Sequence, residues 1–242
     1  MWSTPAKDLT LENKEVHVWR AELDLPAEQV QELAKTLSED EQLRAQRFHF
    51  QQHRQRFIVG RGLLRTILGR YLGIKPEQIQ FEYSPRGKPR LAESCCGERL
   101  QFNVSHSQGL ALYGFTRDRR IGIDLEYLRS MPDAGQIAKR FFSPREYAAI
   151  SALPPDEKQK AFFRCWTGKE AYLKATGDGL AGSLDQIEVS LTPDGPARLL
   201  SIQGNSQAAS SWSLYNLTPA SDYIGTVAVE GRDWHLSCWQ CH

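Results

Sequence analysis

The chain has 242 residues, of which 40% are hydrophobic and 24% charged, as in ordinary globular proteins with a sizeable core. Thirty Lys and Arg residues against 29 Asp and Glu residues leave a formal charge of +1, which gives no support to nucleic-acid binding. The first ten residues lack a signal-peptide pattern, and no apolar run approaches the roughly 20 residues that span a membrane. Five cysteines without an export signal favour a reduced, cytoplasmic protein.

The first half of the chain is predicted to combine strands with two helical stretches. Ser38 and Glu41 form a capping box, with Ser38 as the N-cap. A second helical stretch over residues 57–68 stops before Gly69. Strand patterns in this half cover residues 16–23, 81–84, 100–104 and 110–115.

The second half repeats this order of elements. Ser143 and Glu146 form another capping box, 105 residues after the first, and a helical stretch over residues 162–176 stops before Gly177. Its strand patterns cover residues 121–125, 187–190, 212–217 and 224–229, with a turn at residues 192–196.

The repeated order predicts a duplicated α+β unit, with one half at residues 1–118 and the other at residues 119–242. If the halves pack on a pseudo-twofold axis, the cleft between them is the natural ligand site. A single domain without repeats is the alternative.

Two acidic residues alternate with apolar residues at the start of the second half. A strand over this segment would place Asp124 and Glu126 on one face, with Ile123 and Leu125 on the other. Neighbouring carboxylates repel each other unless a cation lies between them, and Mg²⁺ is a hard cation that takes oxygen ligands beside phosphates. The alternative is a half-exposed strand with an acidic outer face.

The helical stretch that follows carries Lys169, Glu170 and Lys174. Glu170 and Lys174 are four residues apart and share a face, so they could form a surface salt bridge without any further function. The functional interpretation gives Glu170 to a metal ion and uses Lys169 and Lys174 against phosphate oxygens.

Polar and basic residues of the first half suit contacts with phosphate groups. Ser105 and His106 lie in a polar segment, residues 103–107, that is predicted to be a turn between two strands. Lys88 lies in the turn Gly87-Lys88-Pro89, and Arg56 precedes an apolar run that could hold it in a cleft. An ordinary turn and a solvated arginine face are the alternatives.

Together these segments resemble the Sfp-type (surfactin-synthetase-activating) 4′-phosphopantetheinyl transferases, over about residues 48–187. The motifs occur in the family's order: Arg56, Gly87-Lys88-Pro89, Asn103-Val104-Ser105-His106-Ser107, Gly122-Ile123-Asp124-Leu125-Glu126, and Trp166-Thr167-Gly168-Lys169-Glu170-Ala171 with Lys174. The resemblance implies the family's α+β fold, a pseudo-dimer of two similar α/β halves with the active site in the cleft between them.

The resemblance also implies roles for the residues of these motifs. Asp124, Glu126 and Glu170 are expected to hold Mg²⁺ together with the pyrophosphate of coenzyme A. Contacts with coenzyme A are expected from Arg56, Lys88, Ser105, His106, Asp124, Lys169 and Lys174. Within that set, His106 is expected near the 3′-phosphate and Lys174 near the pyrophosphate.

The implied reaction transfers 4′-phosphopantetheine from coenzyme A to a serine of an apo acyl or peptidyl carrier protein and releases 3′,5′-adenosine bisphosphate. The catalytic roles fall to Glu170, the family's usual candidate for the base, and to Lys174. Arg44 and Arg47 are the nearest basic residues where some members place lysines, and their alignment with those lysines is open.

The alternative function is a non-catalytic module of the same fold that binds coenzyme A or a carrier protein. Such a module would be expected to lose an acidic ligand, and here all three carboxylates are present. Because a pseudo-dimer is built into one chain, we expect a monomer. The balanced charge and the lack of a long apolar run lead us to expect no association with nucleic acid or membrane.

Overall fold

The computed structural model describes residues 2–6, 9–95, 99–177, 184–191 and 196–241. In this part of the chain no helix is both long enough and apolar enough to span a bilayer. The elements of the first half are β1 (Glu15–Glu22), α1 (Ala27–Ala34), α2 (Glu39–Gln46), α3 (Gln51–Leu72), β2 (Phe81–Tyr83), β3 (Pro89–Leu91), β4 (Leu100–Ser107) and β5 (Leu110–Arg117).

The second half follows the same order, with one short additional helix, α7. Its elements are β6 (Ile121–Tyr127), α4 (Ala134–Phe141), α5 (Pro144–Ala152), α6 (Pro155–Thr176), β7 (Ile187–Val189), β8 (Leu199–Ile202), α7 (Ser206–Ser210), β9 (Trp212–Leu217) and β10 (Tyr223–Glu230). The long helices α3 and α6 correspond and have 22 residues each. The predicted α+β fold with two similar halves is therefore confirmed, while residues 192–195 of the predicted second turn lie outside the described residues.

Each half is built around its own main sheet. In the first half β1, β5 and β4 are neighbours and pair antiparallel, and in the second half β6, β10 and β9 do the same. Strand β11 (His235–Gln240), which the sequence patterns did not indicate, pairs in parallel with β1. The predicted boundary between residues 118 and 119 falls in the β5–β6 connection, and the chain returns to the first sheet in its last strand.

Apolar side chains from both sheets form one of the hydrophobic clusters found among the described residues. Val18 of β1, Leu112 of β5, Ile123 of β6 and Val227 of β10 are fully buried in this shared cluster. Burying a side chain of this size contributes about 1.5–3 kcal/mol. The two halves are therefore joined by a continuous apolar core, while α3 and α6 each pack in a cluster of their own half.

A buried ion pair connects the elements of the first half. Glu41 closes the capping box of α2 by accepting a hydrogen bond from the backbone N–H of Ser38 (3.1 Å), and it also accepts one from Nε of Arg65 (2.7 Å). Arg65, on α3, is 1% exposed and donates further bonds to the carbonyl oxygens of Pro76 (3.0 Å) and Ile79 (2.8 Å). These added hydrogen bonds offset the cost of burying the two charges.

The second half contains the same arrangement with a lysine in place of the arginine. Glu146 accepts a hydrogen bond from the backbone N–H of Ser143 (2.9 Å) and pairs with Nζ of Lys169 (2.7 Å). Lys169 is 0% exposed and also donates to the carbonyl oxygens of Leu184 (2.7 Å) and Ile187. A capping glutamate, a cation of the long helix and the carbonyls of a short turn thus recur in both halves, which supports the duplication.

Each of the two long helices ends before a glycine in the left-handed conformation. Helix α6 ends before Gly177, as predicted, because this residue adopts φ 79° in the left-handed region that glycine enters at little cost. The predicted stop at Gly69 is wrong, because α3 continues to Leu72 and Gly73 (φ 67°) provides the left-handed residue. Gly69 instead leaves room for the returning chain, since a Cβ there would lie 2.7 Å from the carbonyl oxygen of Ile74.

Gly122 allows α6 to pack directly against β6. A Cβ atom at this position would lie 2.0 Å from the carbonyl oxygen of Ala171 and 2.4 Å from the backbone nitrogen of Ala175. Both contacts are with backbone atoms of α6, which cannot move without shifting the helix. The glycine of the Gly-Ile-Asp-Leu-Glu motif is therefore required by the close approach of this helix and strand.

We predict that Gly122→Ala lowers the free energy of unfolding by about 3 kcal/mol or more, because the helix must move away from the sheet. Gly135→Ala is the matched control, since a Cβ there meets nothing within 4 Å and alanine favours the helix by up to about 1 kcal/mol. Urea denaturation of both variants tests this prediction. Equal stabilities of the two variants would contradict it.

Candidate active site in the cleft between the halves

Hydrogen bonds from backbone amides of β6 to side chains of β4 join the edge strands of the two sheets. Three β4 side chains each accept one bond from a β6 amide: Asn103 Oδ1 from Ile123 (2.8 Å), Ser105 Oγ from Leu125 (3.1 Å) and Ser107 Oγ from Tyr127 (3.1 Å). We call these three contacts the β4–β6 seam. The prediction that residues 103–107 form a turn is wrong, because alternate polar side chains of this strand replace the backbone pairing of a continuous sheet.

The seam holds Asp124 in a defined environment. Asp124 is 5% exposed, and its Oδ1 atom accepts hydrogen bonds from Oγ of Ser105 (3.0 Å) and from Nζ of Lys174 (2.6 Å). Lys174 also donates to Oγ of Ser105 (3.0 Å). Ser105 Oγ therefore donates one bond and accepts two, which uses the full capacity of a hydroxyl group.

The two other predicted acids lie nearby. Glu126, on β6, accepts hydrogen bonds at Oε2 from Ser107 (3.4 Å) and Arg129 (3.4 Å). Glu170, on α6, is 9% exposed. Burial, followed by the charge of Asp124, raises the pKa of Glu170 to about 7, although Lys174 acts in the opposite direction. Burial and the charge of Asp124 also raise the pKa of Glu126. The structure thus brings Asp124, Glu126 and Glu170 into one electrostatically coupled group.

Lys174 pairs with a residue outside its own helix. Lys174 forms its ion pair with Asp124 of β6. The simple surface salt bridge between Glu170 and Lys174, four residues apart on α6, is therefore wrong. Lys174 therefore lies with the acidic group in the cleft, and its contact with phosphate oxygens stays a prediction.

The chemistry of these carboxylates suits a hard divalent cation. Asp124 Oδ2 and Glu170 Oε1 are buried and accept no hydrogen bond from any residue that the structure describes. Unpaired buried carboxylate oxygens are costly without a cation, and oxygen donors are the ligands that Mg²⁺ prefers. In this arrangement, however, no three His, Cys, Asp or Glu side chains of the described ranges are grouped closely enough to hold a metal ion. Lys174 supplies the positive charge that contacts Asp124.

A cavity of about 800 Å³ adjoins the acidic group and is rich in cationic side chains. Residues of the first half form most of its wall, and Glu126 and Arg129 contribute from the second half. Its basic and imidazole side chains are those of Arg44, Arg56, Arg61, Arg129, His53 and His106. Such a wall suits a ligand that carries several phosphate groups.

Arg56 and His106 line this wall, and their contacts with coenzyme A stay predictions. Arg56 is held by Asp24, to which Nε and Nη2 donate at 2.7 and 2.6 Å. Desolvation in the cavity, followed by the charges of Lys174 and Arg56, lowers the pKa of His106. Arg44, whose alignment was open, also lies in the wall, whereas Arg47 is not among its residues. Arg61 was not singled out from the sequence, because a run of arginines on a helix usually indicates a solvated face.

Two predicted phosphate contacts lie elsewhere. The prediction for Lys169 is wrong, because its ammonium is buried between Glu146 and two carbonyl oxygens in the core of the second half. The ammonium of Lys88 donates to backbone carbonyls of the second half, at the end of α6, although the neighbouring Gly87 and Pro89 line the cavity. The placement of Lys88 therefore does not support its predicted contact with coenzyme A.

Comparison with known proteins gives the family. The model of the 4′-phosphopantetheinyl transferase superfamily matches residues 120–228, and a model for the N-terminal part of 4′-phosphopantetheinyl transferases matches residues 21–113. The 4′-phosphopantetheinyl transferase HetI of Nostoc sp. strain PCC 7120 is 52% identical over 98% of this chain and 97% of its own length.

Two proteins of Bacillus subtilis are more distant. A 4′-phosphopantetheinyl transferase is 33% identical, and the transferase Sfp of strain 168 is 31% identical, each over 71% of this chain and 74% of its own length. The chain belongs to the 4′-phosphopantetheinyl transferase superfamily.

We predict that Lys169→Met lowers the free energy of unfolding by about 3–5 kcal/mol, because it leaves the Glu146 carboxylate buried without its cation. Adding Glu146→Gln to this variant should recover a large part of the loss, because the uncompensated charge is then removed. Urea denaturation of the single and double variants measures both effects. If Lys169→Met left the stability unchanged but weakened the binding of coenzyme A, that result would contradict the structural role and support the predicted phosphate contact of Lys169.

Proposed function

We propose that the cleft between the halves is the site at which this chain transfers 4′-phosphopantetheine from coenzyme A to a carrier-protein serine. We further propose that Asp124, Glu126 and Glu170 would draw together around Mg²⁺ when it binds, because they are not grouped closely enough to hold it in this arrangement. The observation that carries the proposal is a pair of buried oxygens, Asp124 Oδ2 and Glu170 Oε1, which accept no hydrogen bond from the described residues and belong to a group that adjoins a cationic cavity. Family membership supports the reaction, and the chemistry of these oxygens supports the metal.

The cationic cavity would bind and orient coenzyme A. Arg56 and His106 lie where they can contact phosphate oxygens, and Asp24 restricts Arg56 to one orientation through two hydrogen bonds. A guanidinium fixed in this way loses little conformational entropy when it binds a phosphate. Fixing both reactants in one orientation supplies a large part of the catalysis in such a transfer.

The reaction joins the serine oxygen of the carrier protein to the β-phosphorus of coenzyme A and breaks the pyrophosphate bond, so that 3′,5′-adenosine bisphosphate leaves. The ammonium of Lys174 lies beside Asp124 and would stabilise negative charge that develops on the pyrophosphate oxygens. A bound Mg²⁺ would add a second positive charge there.

Glu170 is the candidate for the group that accepts the serine proton. Without a bound cation, burial raises the pKa of Glu170 to about 7, which makes this carboxylate a stronger base than an exposed one. A bound Mg²⁺ would lower that pKa. Because Glu170 is 9% exposed, little water would reach its carboxylate while it accepts the proton of the serine hydroxyl.

The partner in this reaction is an apo acyl or peptidyl carrier protein. Carriers of fatty-acid, polyketide and nonribosomal-peptide synthesis all present the acceptor serine at the start of a helix, so each is a candidate substrate. Because one chain supplies both halves of the cleft, we further propose that the enzyme acts as a monomer, in the cytoplasm. The alternative of a non-catalytic binding module is not favoured, since the acids that catalysis needs are present.

We predict that an apo carrier protein incubated with this chain, coenzyme A and Mg²⁺ gains the mass of one phosphopantetheine group, and that EDTA prevents the gain. Intact-mass spectrometry of the carrier measures both results. Absence of any gain with carriers of all three pathways would favour the binding module, and full transfer in EDTA would contradict the metal.

Asp124→Asn tests the acidic group directly. The variant keeps an oxygen acceptor for Ser105 and Lys174 but removes the charge, so we expect a rate at least about 100-fold lower with the fold retained. The matched control is Asp118→Asn at an exposed ion pair with Arg99, which should leave the rate unchanged. Equal rates for the two variants would contradict the role of Asp124.

A further inference from the structure

Lys88 belongs to the first half, but its ammonium contacts the second half. The residue lies in the turn between β2 and β3, and its backbone N–H is anchored by Ser84 Oγ (3.0 Å). Nζ donates to the carbonyl oxygens of Lys174, Ala175 (3.2 Å) and Ile121 (3.4 Å). All three acceptors are backbone atoms of α6 and β6, so this side chain joins a turn of one half to two elements of the other.

The carbonyls that Lys88 contacts need a partner. A helix leaves its last four carbonyl groups without intrahelical hydrogen bonds, and those of Lys174 and Ala175 fall in the last turn of α6, which ends at Thr176. A positive charge at this position also interacts favourably with the negative end of the helix dipole. Lys88 therefore caps the C-terminus of α6 from outside the helix.

The capped turn carries part of the active site. The side chain of Lys174 reaches Asp124 and Ser105, while its carbonyl oxygen is one of the atoms that Lys88 binds. Ile121, the third acceptor, begins β6 three residues before Asp124. Lys88 thus contacts the backbone on both sides of the Lys174–Asp124 ion pair.

The ammonium remains suited to this task although it is largely shielded from water. Burial, followed by the charge of Arg120, lowers the pKa of Lys88 to about 8. Most of the side chains are therefore still protonated at neutral pH. All three N–H donors are needed if each of the three carbonyls is to be satisfied at the same time.

We propose that Lys88 is a positioning residue rather than a ligand of coenzyme A. Its ammonium fixes the last turn of α6 against β6 and so keeps the side chain of Lys174 beside Asp124. The inference rests on the proposed function in that its kinetic consequences concern phosphopantetheine transfer. The competing role is a direct contact with a phosphate group, which would require the ammonium to leave the three carbonyls.

Steady-state kinetics separate the two roles. We expect Lys88→Met to lower kcat about tenfold or more while KM for coenzyme A changes less than about threefold, because the catalytic residues are displaced but the binding wall is intact. Lys88→Arg, which keeps the charge and the donors, should restore most of the loss. The control Arg90→Met removes a neighbouring cation whose pairing with Glu82 is exposed, and it should behave like the unaltered chain. A raised KM at unchanged kcat in Lys88→Met would overturn the proposal.

A double-mutant cycle with Lys174→Ala tests whether Lys88 acts through Lys174. If it does, Lys88→Met should reduce kcat/KM far less in the Lys174→Ala background than in the unaltered chain. Independent, multiplicative losses would overturn the proposal.

Amide hydrogen exchange tests the same inference without reference to activity. Exchange at residues 174–177 should accelerate in Lys88→Met and return towards the original rate in Lys88→Arg. Unchanged exchange there in Lys88→Met would overturn the proposal. The exchange measurement also distinguishes this inference from the proposed function, because it gives an answer even if no carrier protein is modified.

Discussion

The β4–β6 seam is the interaction on which the geometry of the cleft depends. The two sheets meet at edge strands, β4 and β6, whose backbones do not pair with each other. Instead, three side chains of β4 accept hydrogen bonds from backbone amides of β6. A typical hydrogen bond of this kind contributes about 1 kcal/mol, but an amide left buried without a partner costs about 1–3 kcal/mol. The seam therefore fixes the register of one half against the other, at the strand that carries Asp124 and Glu126.

Two lysines on one helix have different tasks because they face different surroundings. Lys169 points into the core of its own half, where it neutralises the capping glutamate of α5 as Arg65 does for α2 in the first half. Lys174, five residues later, points to the seam and pairs with Asp124. The first of these ion pairs stabilises the repeated unit, and the second belongs to the chemistry of the cleft. Lys88 adds a contact between the halves at the end of the same helix.

Local signals in the sequence were sufficient for much of the fold. The capping boxes at Ser38 and Ser143 and the helix end at Gly177 follow from hydrogen-bonding chemistry and backbone conformation within a few residues, and all three are confirmed. The roles of Lys169 and Lys88 could not be predicted in this way, because the partners of both lysines come from distant parts of the chain. The polar segment 103–107 resembled a turn because polar side chains usually face water, whereas alternate ones here bind another strand.

The most direct test of this account is native-state amide exchange at Leu125 and Tyr127. We predict that Ser105→Ala accelerates exchange of the Leu125 amide at least about tenfold with a small effect on Tyr127, and that Ser107→Ala does the reverse, because each hydroxyl protects one amide. Unchanged exchange at Leu125 in Ser105→Ala would contradict the seam. Equal acceleration at both amides in both variants would do so as well, since it would show general destabilisation rather than loss of one specific contact.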